Sequence, residues 1–469
     1  MPPNLTIRNL TSMPLKITHT SRYPPPRRAP EPITGRNLTD ISNLANNLGT
    51  FLRRSPISVS SAQLAKNAKL FEETDVAVEI AVYTGRDAGF ALGDGAAVLR
   101  LDFEVVEHNG AVGKFRVELV HAEEGAEMNV VPLNGGGGGG ISLACILHRK
   151  RNHLALLSTA EMKAWMGKLK DSTHLGELSI PGTHNSPTYH LALPSVRCQE
   201  VSVREQLENG VRFLDVRAQP DGKEIVLVHG AFPIALSGKK TLKDLLKECY
   251  DFLQAHKSET IIVSLKREGH GKWDEGEFSK VIKTQVIERN IDMWYVEPEM
   301  PRLEKCRGKC ILFRRYHLDD SLKSEHGGKG YGINAEAWDY NTPNYTTPSN
   351  ICVQDFCEVL ETQNIDKKIG YVKDHLERSC TQIAAAGKEG KEPPLFINFL
   401  SASNFWKVGT WPEKVAAKIN PAICEHLAVD HRVEGGNAGT GVVITDFVGE
   451  DRNFALFKLV VGMNGGLLV

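Results

Sequence analysis

The stretch VRFLDVR (211–217) is followed by EIVLVHGAFPI (224–234) and ETIIVSLKRE (259–268). Each contains a short apolar run that ends in charged or polar residues, a pattern typical of a buried strand. The runs that predict strands in this part of the chain are residues 178–180, 212–216, 224–228, 260–265, 309–314, 331–335, 351–354, 395–399 and 441–445.

Segments with helical spacing separate these strands, beginning with residues 159–170. Strands that alternate with helices predict βα units and a parallel sheet. About eight units over roughly 300 residues favour a closed (β/α) barrel of the TIM type. An open doubly wound sheet is the alternative, but no G-x-G-x-x-G motif follows the first strand.

The N-terminal third has a different pattern. Residues 99–105 and 115–119 alternate apolar with charged side chains, and Asn109-Gly110 lies between them as a turn. Residues 76–83 and 142–147 predict further strands. We therefore expect an all-β, sandwich-like domain of unknown partner over residues 1–155 and the α/β barrel over 156–469.

Two segments of the N-terminal domain have biased composition. The proline-rich residues 22–32 predict an exposed loop or arm. The six glycines at 135–140 predict a flexible loop, and they lack the G-K-[ST] ending of a phosphate-binding P-loop.

Charge and cysteine content limit the function classes. The 469 residues carry a formal net charge of −1, which argues against nucleic acid as the main partner. Residues 1–60 hold eight Lys and Arg but two Asp and Glu, which predicts a solvated basic arm. Nine Cys without a paired metal-binding spacing predict no zinc site, and residues 1–10 lack the apolar segment of a signal peptide. We expect a cytoplasmic or peripheral membrane protein.

Polar side chains follow the predicted strands where the strands end. In a barrel these ends meet on one face, which carries the active site. The candidates are His184, Asp215, Arg217, His229, Lys266, Arg314, Arg315, Asp355, Ser401, Ser403 and Asp446.

This set indicates acid–base cleavage of a phosphodiester. Paired histidines suit a general base and a general acid, and each is expected to have a carboxylate on its other ring nitrogen. Cations suit an anionic substrate. Because no G-x-S-x-G nucleophile motif is present, the substrate is expected to supply its own nucleophile.

Eight colinear blocks resemble the bacterial-type phosphatidylinositol-specific phospholipases C over residues 165–469. They are LSIPGTHNS (178–186), VRFLDVR (211–217), EIVLVHGAFPI (224–234), ETIIVSLKRE (259–268), KCILFRRY (309–316), ICVQDF (351–356), LFINFLSAS (395–403) and GVVITDFVG (441–449). The resemblance implies a distorted TIM-type barrel. It also implies cleavage of phosphatidylinositol, or a related GPI-type lipid, to diacylglycerol and inositol 1,2-cyclic phosphate without a cofactor.

The resemblance assigns roles to five catalytic residues. His184 would be the general base, oriented by Asp446. His229 would be the general acid, with Asp215 as its carboxylate partner. Arg217 would contact the phosphoryl oxygens, in the place of a metal-dependent relative's second carboxylate.

Asn185 stands where bacterial members have Asp and calcium-dependent relatives have a calcium ligand, so its effect and a calcium ion stay open alternatives. Cys357 replaces a Tyr that stacks on the sugar, a role left to Tyr340 or Phe356. The residues expected to bind substrate are Asn185, Lys266, Arg314 and Asp355.

Three aromatic residues, Phe405, Trp406 and Trp411, follow the strand at 395–399 and suit contact with a membrane surface. Packing beneath their own loop is the alternative. Two other functions also stay open: a glycerophosphodiesterase, which would need a carboxylate metal set, and a catalytically weak or silent protein that binds inositol lipids or glycans.

Overall fold

The computed structural model describes residues 3–23, 72–93, 98–106, 110–119, 125, 127–133, 142–158, 161–271, 274–432, 439–450 and 453–467. The chain divides into two compact units: Met1–Ser158 with Asp451–Asn453, and Thr159–Glu450 with Phe454–Val469. The glycine run at 135–140 and most of the proline-rich segment lie outside the described residues, as does most of the basic segment 1–60. Arg22 and Tyr23, the first residues of the proline-rich segment, end a strand.

The described part of the first unit is formed by strands and one 3₁₀ turn, Arg149–Arg151. In chain order the strands are β1 (Asn4–Leu10), β2 (Leu15–Tyr23), β3 (Glu72–Ile80), β4 (Gly85–Ala91), β5 (Val98–Val106), β6 (Val112–Leu119), β7 (Glu127–Asn129), β8 (Val131–Pro132), β9 (Leu143–His148) and β10 (His153–Ser158).

These strands form two five-stranded sheets, ordered β4-β1-β10-β9-β7 and β3-β2-β5-β6-β8. One apolar core draws residues from both, including Ile7 and Leu156 of the first sheet and Leu101 and Val117 of the second. The alternation read in β5 and β6 is present, with Leu101 and Phe103 buried between less buried charged neighbours. The strands that were not predicted are β1, β2, β4, β7, β8 and β10.

The second unit contains a twelve-stranded sheet and its helices. Its strands are β11 (Ile180–Thr183), β12 (Phe213–Asp221), β13 (Glu224–His229), β14 (Phe232–Pro233), β15 (Ile261–Arg267), β16 (Trp294–Tyr295), β17 (Cys310–Arg315), β18 (Ile333–Asn334), β19 (Thr342–Thr346), β20 (Ile351–Asp355), β21 (Leu395–Phe399) and β22 (Val442–Thr445). Its α-helices are α1 (Val203–Glu208), α2 (Leu242–Ala255), α3 (Glu275–Val281), α4 (Leu303–Cys306), α5 (Asp320–Lys323), α6 (Glu325–Gly328), α7 (Asn364–Glu389), α8 (Pro412–Glu425) and α9 (Ala455–Gly462).

Shorter helical segments complete the unit. The 3₁₀ segments are Met162–Lys168, Leu175–Glu177, Glu288–Met293, Val408–Thr410 and Gly465–Leu467, and the π-helical segments are Ile282–Ile287 and His426–Asp430. The helix expected at 159–170 is therefore a kinked 3₁₀ segment, with Ala164 outside helical geometry. No helix within the described ranges is long and apolar enough to cross a membrane.

The main path of the sheet runs β16-β17-β15-β12-β11-β22-β21-β20-β19. Ladders from β17 through β20 along this path are parallel, as predicted for βα units. The strand expected at 224–228 differs, because β13 pairs antiparallel with β12 and with β14 as a hairpin. No ladder among the described residues joins β16 or β18 to β19.

Side-chain contacts require this sheet to curl. Six neighbour steps separate β17 from β20, which would place them roughly 29 Å apart in a flat sheet at about 4.8 Å a step. The Arg315 guanidinium instead lies 3.9 Å from the centre of the Trp338 ring. The Trp338 indole N–H in turn donates to Asp355 at the end of β20, at 3.2 Å. The carboxyl ends of β17 and β20 therefore face each other across one cleft.

Candidate active site

The carboxyl ends of the strands surround a cleft of about 550 Å³. It is lined by His184, Arg217, His229, Lys266, Glu268, Arg315, Glu336, Trp338, Tyr340, Asp355, Cys357, Glu358, Leu360, Ser401, Ala402, Ser403, Asn404, Phe405 and Trp406.

His184 follows β11 and is paired with a carboxylate. Its Nδ1 lies 2.9 Å from Oδ1 of Asp446, which follows the neighbouring strand β22. Gln199 holds this corner by donating to the backbone carbonyls of His184 and Thr445. Burial raises the pKa of Asp446 despite the adjacent His184. Because Nδ1–H donates to the carboxylate, Nε2 carries the lone pair, as a general base requires.

His229, at the end of β13, has a neutral partner. Its Nδ1 lies 2.8 Å from the backbone carbonyl of Val196, so the Nδ1–H donates there and Nε2 is the other titrating position. Burial, followed by the charges of Arg217 and His184, lowers the pKa of His229 to about 4. The rings of His184 and His229 lie edge to face, with centres 5.8 Å apart.

The predicted pairing of Asp215 with His229 is wrong. The fully buried Asp215 carboxylate accepts from Arg217 at 3.1 Å, from Arg315 at 3.1 Å and from the Asn185 backbone N–H at 3.0 Å. Burial opposes ionisation of Asp215, but the two guanidinium groups outweigh it and hold its pKa below the ordinary value. Asp215 therefore positions two cations: Arg217, which is on the same strand, β12, and Arg315, which is on β17.

Three cations form a row across the sheet. Arg217 on β12 is in register with Lys266 on β15, and Lys266 is in register with Arg315 on β17. Residues in register across parallel strands face the same side of a sheet, and all three line the cleft. This row provides a positively charged wall.

The cation on β17 is Arg315, whereas the sequence analysis expected Arg314. Arg314 is buried, and its guanidinium binds the Tyr316 carbonyl at 2.7 Å and the Glu336 carboxylate at 3.0 Å. Successive side chains of a strand point to opposite faces. The prediction was wrong by one residue, and it therefore named the arginine on the face of β17 opposite to that of Arg315.

Glu268 was missed by the sequence analysis. It accepts from Arg217 at 3.4 Å, from Lys266 at 3.2 Å and from the Gly230 backbone N–H at 3.1 Å. Burial would raise its pKa, but Arg217 and Lys266 lower it to about 2. The signal was available in the sequence, because Glu268 directly follows β15 two residues after Lys266, and side chains two apart on an extended chain share a face.

The opposite wall of the cleft is acidic and aromatic. Asp355 lines it as predicted, held by the Trp338 indole, and Glu358 accepts from the Tyr340 hydroxyl at 2.7 Å. Tyr340 lines the cleft, whereas Phe356 packs against Tyr371 with ring centres 5.1 Å apart. Of the two candidates for the sugar platform, Tyr340 is therefore the one that borders the cleft.

Other residues of this wall are Trp338, which the sequence analysis also missed, Cys357 and the predicted pair Ser401 and Ser403.

The three aromatic residues of the rim loop differ in exposure. Trp406 is 88% exposed. Phe405 instead stacks on Phe232 with ring centres 5.2 Å apart, and the Trp411 indole N–H donates to the Phe405 carbonyl at 3.0 Å. Trp406 is thus the projecting side chain, while Phe405 and Trp411 build the loop beneath it.

Asn185 does not line the cleft, contrary to its predicted role in substrate binding. Its backbone is left-handed, with φ 45°, and its buried side chain has no hydrogen-bond partner. Calcium prefers several carboxylate and carbonyl oxygens, but the Asp215 carboxylate beside Asn185 is already occupied by Arg217 and Arg315. The residues at this position therefore do not fit a calcium ion.

This arrangement supports proton transfer next to an anion. Two imidazoles with differently held Nδ1 atoms border one cleft, and a fixed row of cations forms its wall. Preorganised cations stabilise charge that develops in a transition state more effectively than water does.

The sequence is similar to those of known proteins. The family model described as phosphatidylinositol-specific phospholipase C, X domain, matches residues 173–316. The chain is 31% identical over 301 residues to the 1-phosphatidylinositol phosphodiesterase of Listeria monocytogenes, covering 61% of this chain and 81% of that protein. It is 28% identical over 302 residues to the enzyme of the same name from Staphylococcus aureus, covering 61% and 88%.

Solved structures resemble the second unit. A double mutant of the S. aureus phosphatidylinositol-specific phospholipase C aligns with a TM-score of 0.52 and 25% identity, over 64% of this chain and 97% of that one. The corresponding enzyme of L. monocytogenes shares the fold, with a TM-score of 0.50 over 65% and 99% of the two chains at 23% identity. By sequence and fold, the chain belongs to the bacterial-type phosphatidylinositol-specific phospholipase C family.

Proposed function

We propose that this protein is a phosphatidylinositol phosphodiesterase that releases diacylglycerol and inositol 1,2-cyclic phosphate. The observation that carries the proposal is the pair His184 and His229 in one cleft, beside the cation row. The names of the similar enzymes from S. aureus and L. monocytogenes support the choice of lipid.

The chemistry needs no nucleophile from the protein. Nε2 of His184 takes the proton of the inositol 2-hydroxyl, and that oxygen attacks phosphorus. The bond from phosphorus to the diacylglycerol oxygen breaks, and Nε2–H of His229 protonates the leaving oxygen. Asp446 stabilises the imidazolium formed at His184.

His229 must gain a proton before it can act as the acid. With its pKa lowered to about 4, it is neutral in the free protein near pH 7. A bound phosphodiester anion would raise that pKa, because a negative charge nearby favours the imidazolium. Substrate binding is therefore coupled to proton uptake.

The two walls of the cleft match the two halves of the headgroup. Arg217, Lys266 and Arg315 suit the phosphoryl oxygens, and Arg217 supplies the charge that a metal would otherwise supply. Asp355 and Glu358 suit the hydroxyls of a polyol, which donate hydrogen bonds to carboxylates. We propose a reaction that needs no metal or other cofactor.

The lipid is presented at a surface, and the cleft has an apolar rim. Of the residues that line the cleft, Trp406 is 88% exposed and Leu360 63% exposed, and Phe232 is exposed beside Phe405. Exposed aromatic and aliphatic side chains favour the interfacial region of a bilayer. We propose peripheral membrane binding through this rim by a cytoplasmic protein, with GPI-type lipids as a second substrate class.

We propose the finer architecture on the same basis: a distorted (β/α) barrel over residues 156–469, preceded by a β-sandwich domain over residues 1–155. The contact of Arg315 with Trp338 supports the barrel. The apolar core shared by two sheets supports the sandwich.

Vesicles of phosphatidylinositol test the activity directly. Water-soluble inositol phosphate and diacylglycerol are measured for the wild type, for His184→Ala and for His229→Ala, each with and without chelator. We expect turnover that chelator leaves intact and that each substitution lowers about 10²- to 10⁴-fold. A wild type as inactive as both variants would mean that the protein binds without catalysis.

A further inference from the structure

A second cluster of titratable side chains lies outside the cleft. It consists of Glu377 on α7 with His426 and His431, which begin and follow the π-helical segment after α8. None of the three lines the cleft, and the proposed reaction uses none of them.

The ligand atoms of the cluster have the spacing of a metal site. Oε1 of Glu377 lies 2.9 Å from Nε2 of His426 and 3.3 Å from Nδ1 of His431, and the three ligand atoms lie within 4.8 Å of one another. Two ligands that are each about 2.0–2.1 Å from a tetrahedral zinc ion are separated by roughly 3.3 Å. The atoms are therefore already close to the separations that zinc coordination requires.

A π turn brings the two imidazoles together. The backbone N–H of His431 donates to the carbonyl of His426 at 2.9 Å, an i to i+5 hydrogen bond. This bond returns residue 431 to the side of the helix occupied by residue 426. Single π turns are rare and recur at functional sites, so the irregular backbone is an observation independent of the side-chain distances.

The three side chains differ in exposure. His431 is fully buried and His426 nearly so, whereas the Glu377 side chain is half exposed. The Asp430 carboxylate lies 3.9 Å from the other ring nitrogen of His426, beyond hydrogen-bond distance, and adds negative charge beside the cluster.

We propose that Glu377, His426 and His431 bind one divalent transition-metal ion of the zinc class, which links α7 to the end of α8. Two imidazoles and one carboxylate form a donor set for zinc and its neighbours rather than for calcium or magnesium. The ion stabilises the fold and takes no part in the chemistry of the cleft.

Cobalt(II) binding to the full-length protein tests the site, because its visible spectrum reports the ligands. The variants are Glu377→Gln and His426→Gln, with Glu389→Gln as a matched control on the exposed part of the same helix. A second control, Cys198→Ala, removes the thiol from the other cluster of potential ligands, His184, Cys198 and His229. Zinc-dependent thermal unfolding is the second readout.

We expect one equivalent of cobalt without a thiolate charge-transfer band. Its affinity should fall at least ~10-fold in Glu377→Gln and His426→Gln and stay unchanged in both controls. Zinc should raise the Tm of the wild type but not of Glu377→Gln. The proposal is overturned if no metal binds, if Glu377→Gln binds as tightly as the wild type, or if a thiolate band disappears in Cys198→Ala.

Discussion

The two units each contain a network of cations and carboxylates, and the networks differ in the number of carboxylates bonded to each cation. In the β5–β6 ladder each cation has its own carboxylate directly opposite: Arg100 binds Glu118 at 2.8 Å, and Arg116 binds Asp102 through two contacts of 2.6 Å. In the cleft, the row formed by Arg217, Lys266 and Arg315 shares two carboxylates. Asp215 serves both arginines, and Glu268 serves Arg217 and Lys266.

The difference distinguishes a structural network from one prepared for a ligand. One-to-one pairs across a ladder are neutral and need nothing more. The cation row has three positive groups but only two directly bonded carboxylates, and Asp355 on the opposite wall interacts with both arginines across the cleft. An anionic group of the substrate would bind the row directly.

Among the tests of this comparison, substitution of Arg217 is expected to change turnover most. Arg217→Lys keeps the charge but loses the planar fork, so we expect kcat to fall about 10²- to 10³-fold, the scale of a lost transition-state donor. The measurement is turnover of phosphatidylinositol vesicles.

The matched control is Arg116→Lys in the N-terminal unit. We expect unchanged turnover and a loss of about 1 kcal/mol or less in the free energy of unfolding, because the pair is partly exposed. Equal effects of the two substitutions on turnover would remove the distinction between the networks.

The neighbouring arginines of β17 give a smaller effect and a sharper contrast. Arg315→Lys should weaken substrate binding about tenfold, because one contact to the anion is loosened. Arg314→Lys should lower Tm more than it changes KM, because Arg314 is buried, binds two backbone carbonyls and reaches the cleft only through the Glu336 carboxylate. Measuring KM and Tm for both variants tests which arginine contacts the substrate. A KM that rises only in Arg314→Lys would assign that contact to Arg314.

At the rim we expect a several-fold effect. Trp406→Ala should reduce turnover on vesicles because an exposed aromatic side chain is lost from the membrane contact. Turnover of a soluble inositol phosphodiester should not change. The control is Tyr345→Ala, at a half-buried position on β19 that does not line the cleft; an equal loss on both substrates would place Trp406 in the chemistry.

The last prediction concerns the pH dependence of stability instead of turnover. The pKa of His229 is about 4 in the folded protein and ordinarily about 6.5 in the unfolded chain. The unfolded state therefore binds more protons, so the stability contributed by neutral His229 is complete above pH 6.5 and is lost as the pH falls towards 4.

In the variant His229→Asn, the free energy of unfolding should therefore fall less steeply as the pH is lowered over that range. The reduction in slope corresponds to at most about one bound proton. Urea unfolding at pH 7, 6, 5 and 4 measures this. An unchanged slope would mean that the pKa of His229 is the same in the folded and the unfolded protein.

Much of the second unit could be predicted because its strands are short, apolar and end in polar residues. The strands around residues 213, 262, 311, 353, 397 and 443 were located, and their polar ends do meet at one cleft. Strand pairing was harder: β13 has the composition of a central strand but forms a hairpin with β12 and β14. Composition reports burial and does not specify the direction of the neighbouring strand.

The errors in the predicted site have two causes: the register of strand β17, and the competition of several groups for the Asp215 carboxylate. Arg314 was chosen in place of Arg315 because a one-residue shift reverses the face of a strand. Asp215 was assigned to His229 because the sequence does not reveal that Arg217 and Arg315 are closer to it. The pair His184 and Asp446 was predicted correctly, because both residues directly follow adjacent strands.

The most direct test of the account is whether the substrate supplies the nucleophile. Phosphorus-31 NMR can follow the protein with phosphatidylinositol and with an analogue methylated at the inositol 2-hydroxyl. The account predicts a cyclic inositol phosphodiester from the first and no cleavage of the second, because His184 then has no proton to remove. Cleavage of the methylated lipid, or a phosphomonoester as the first product, would contradict it.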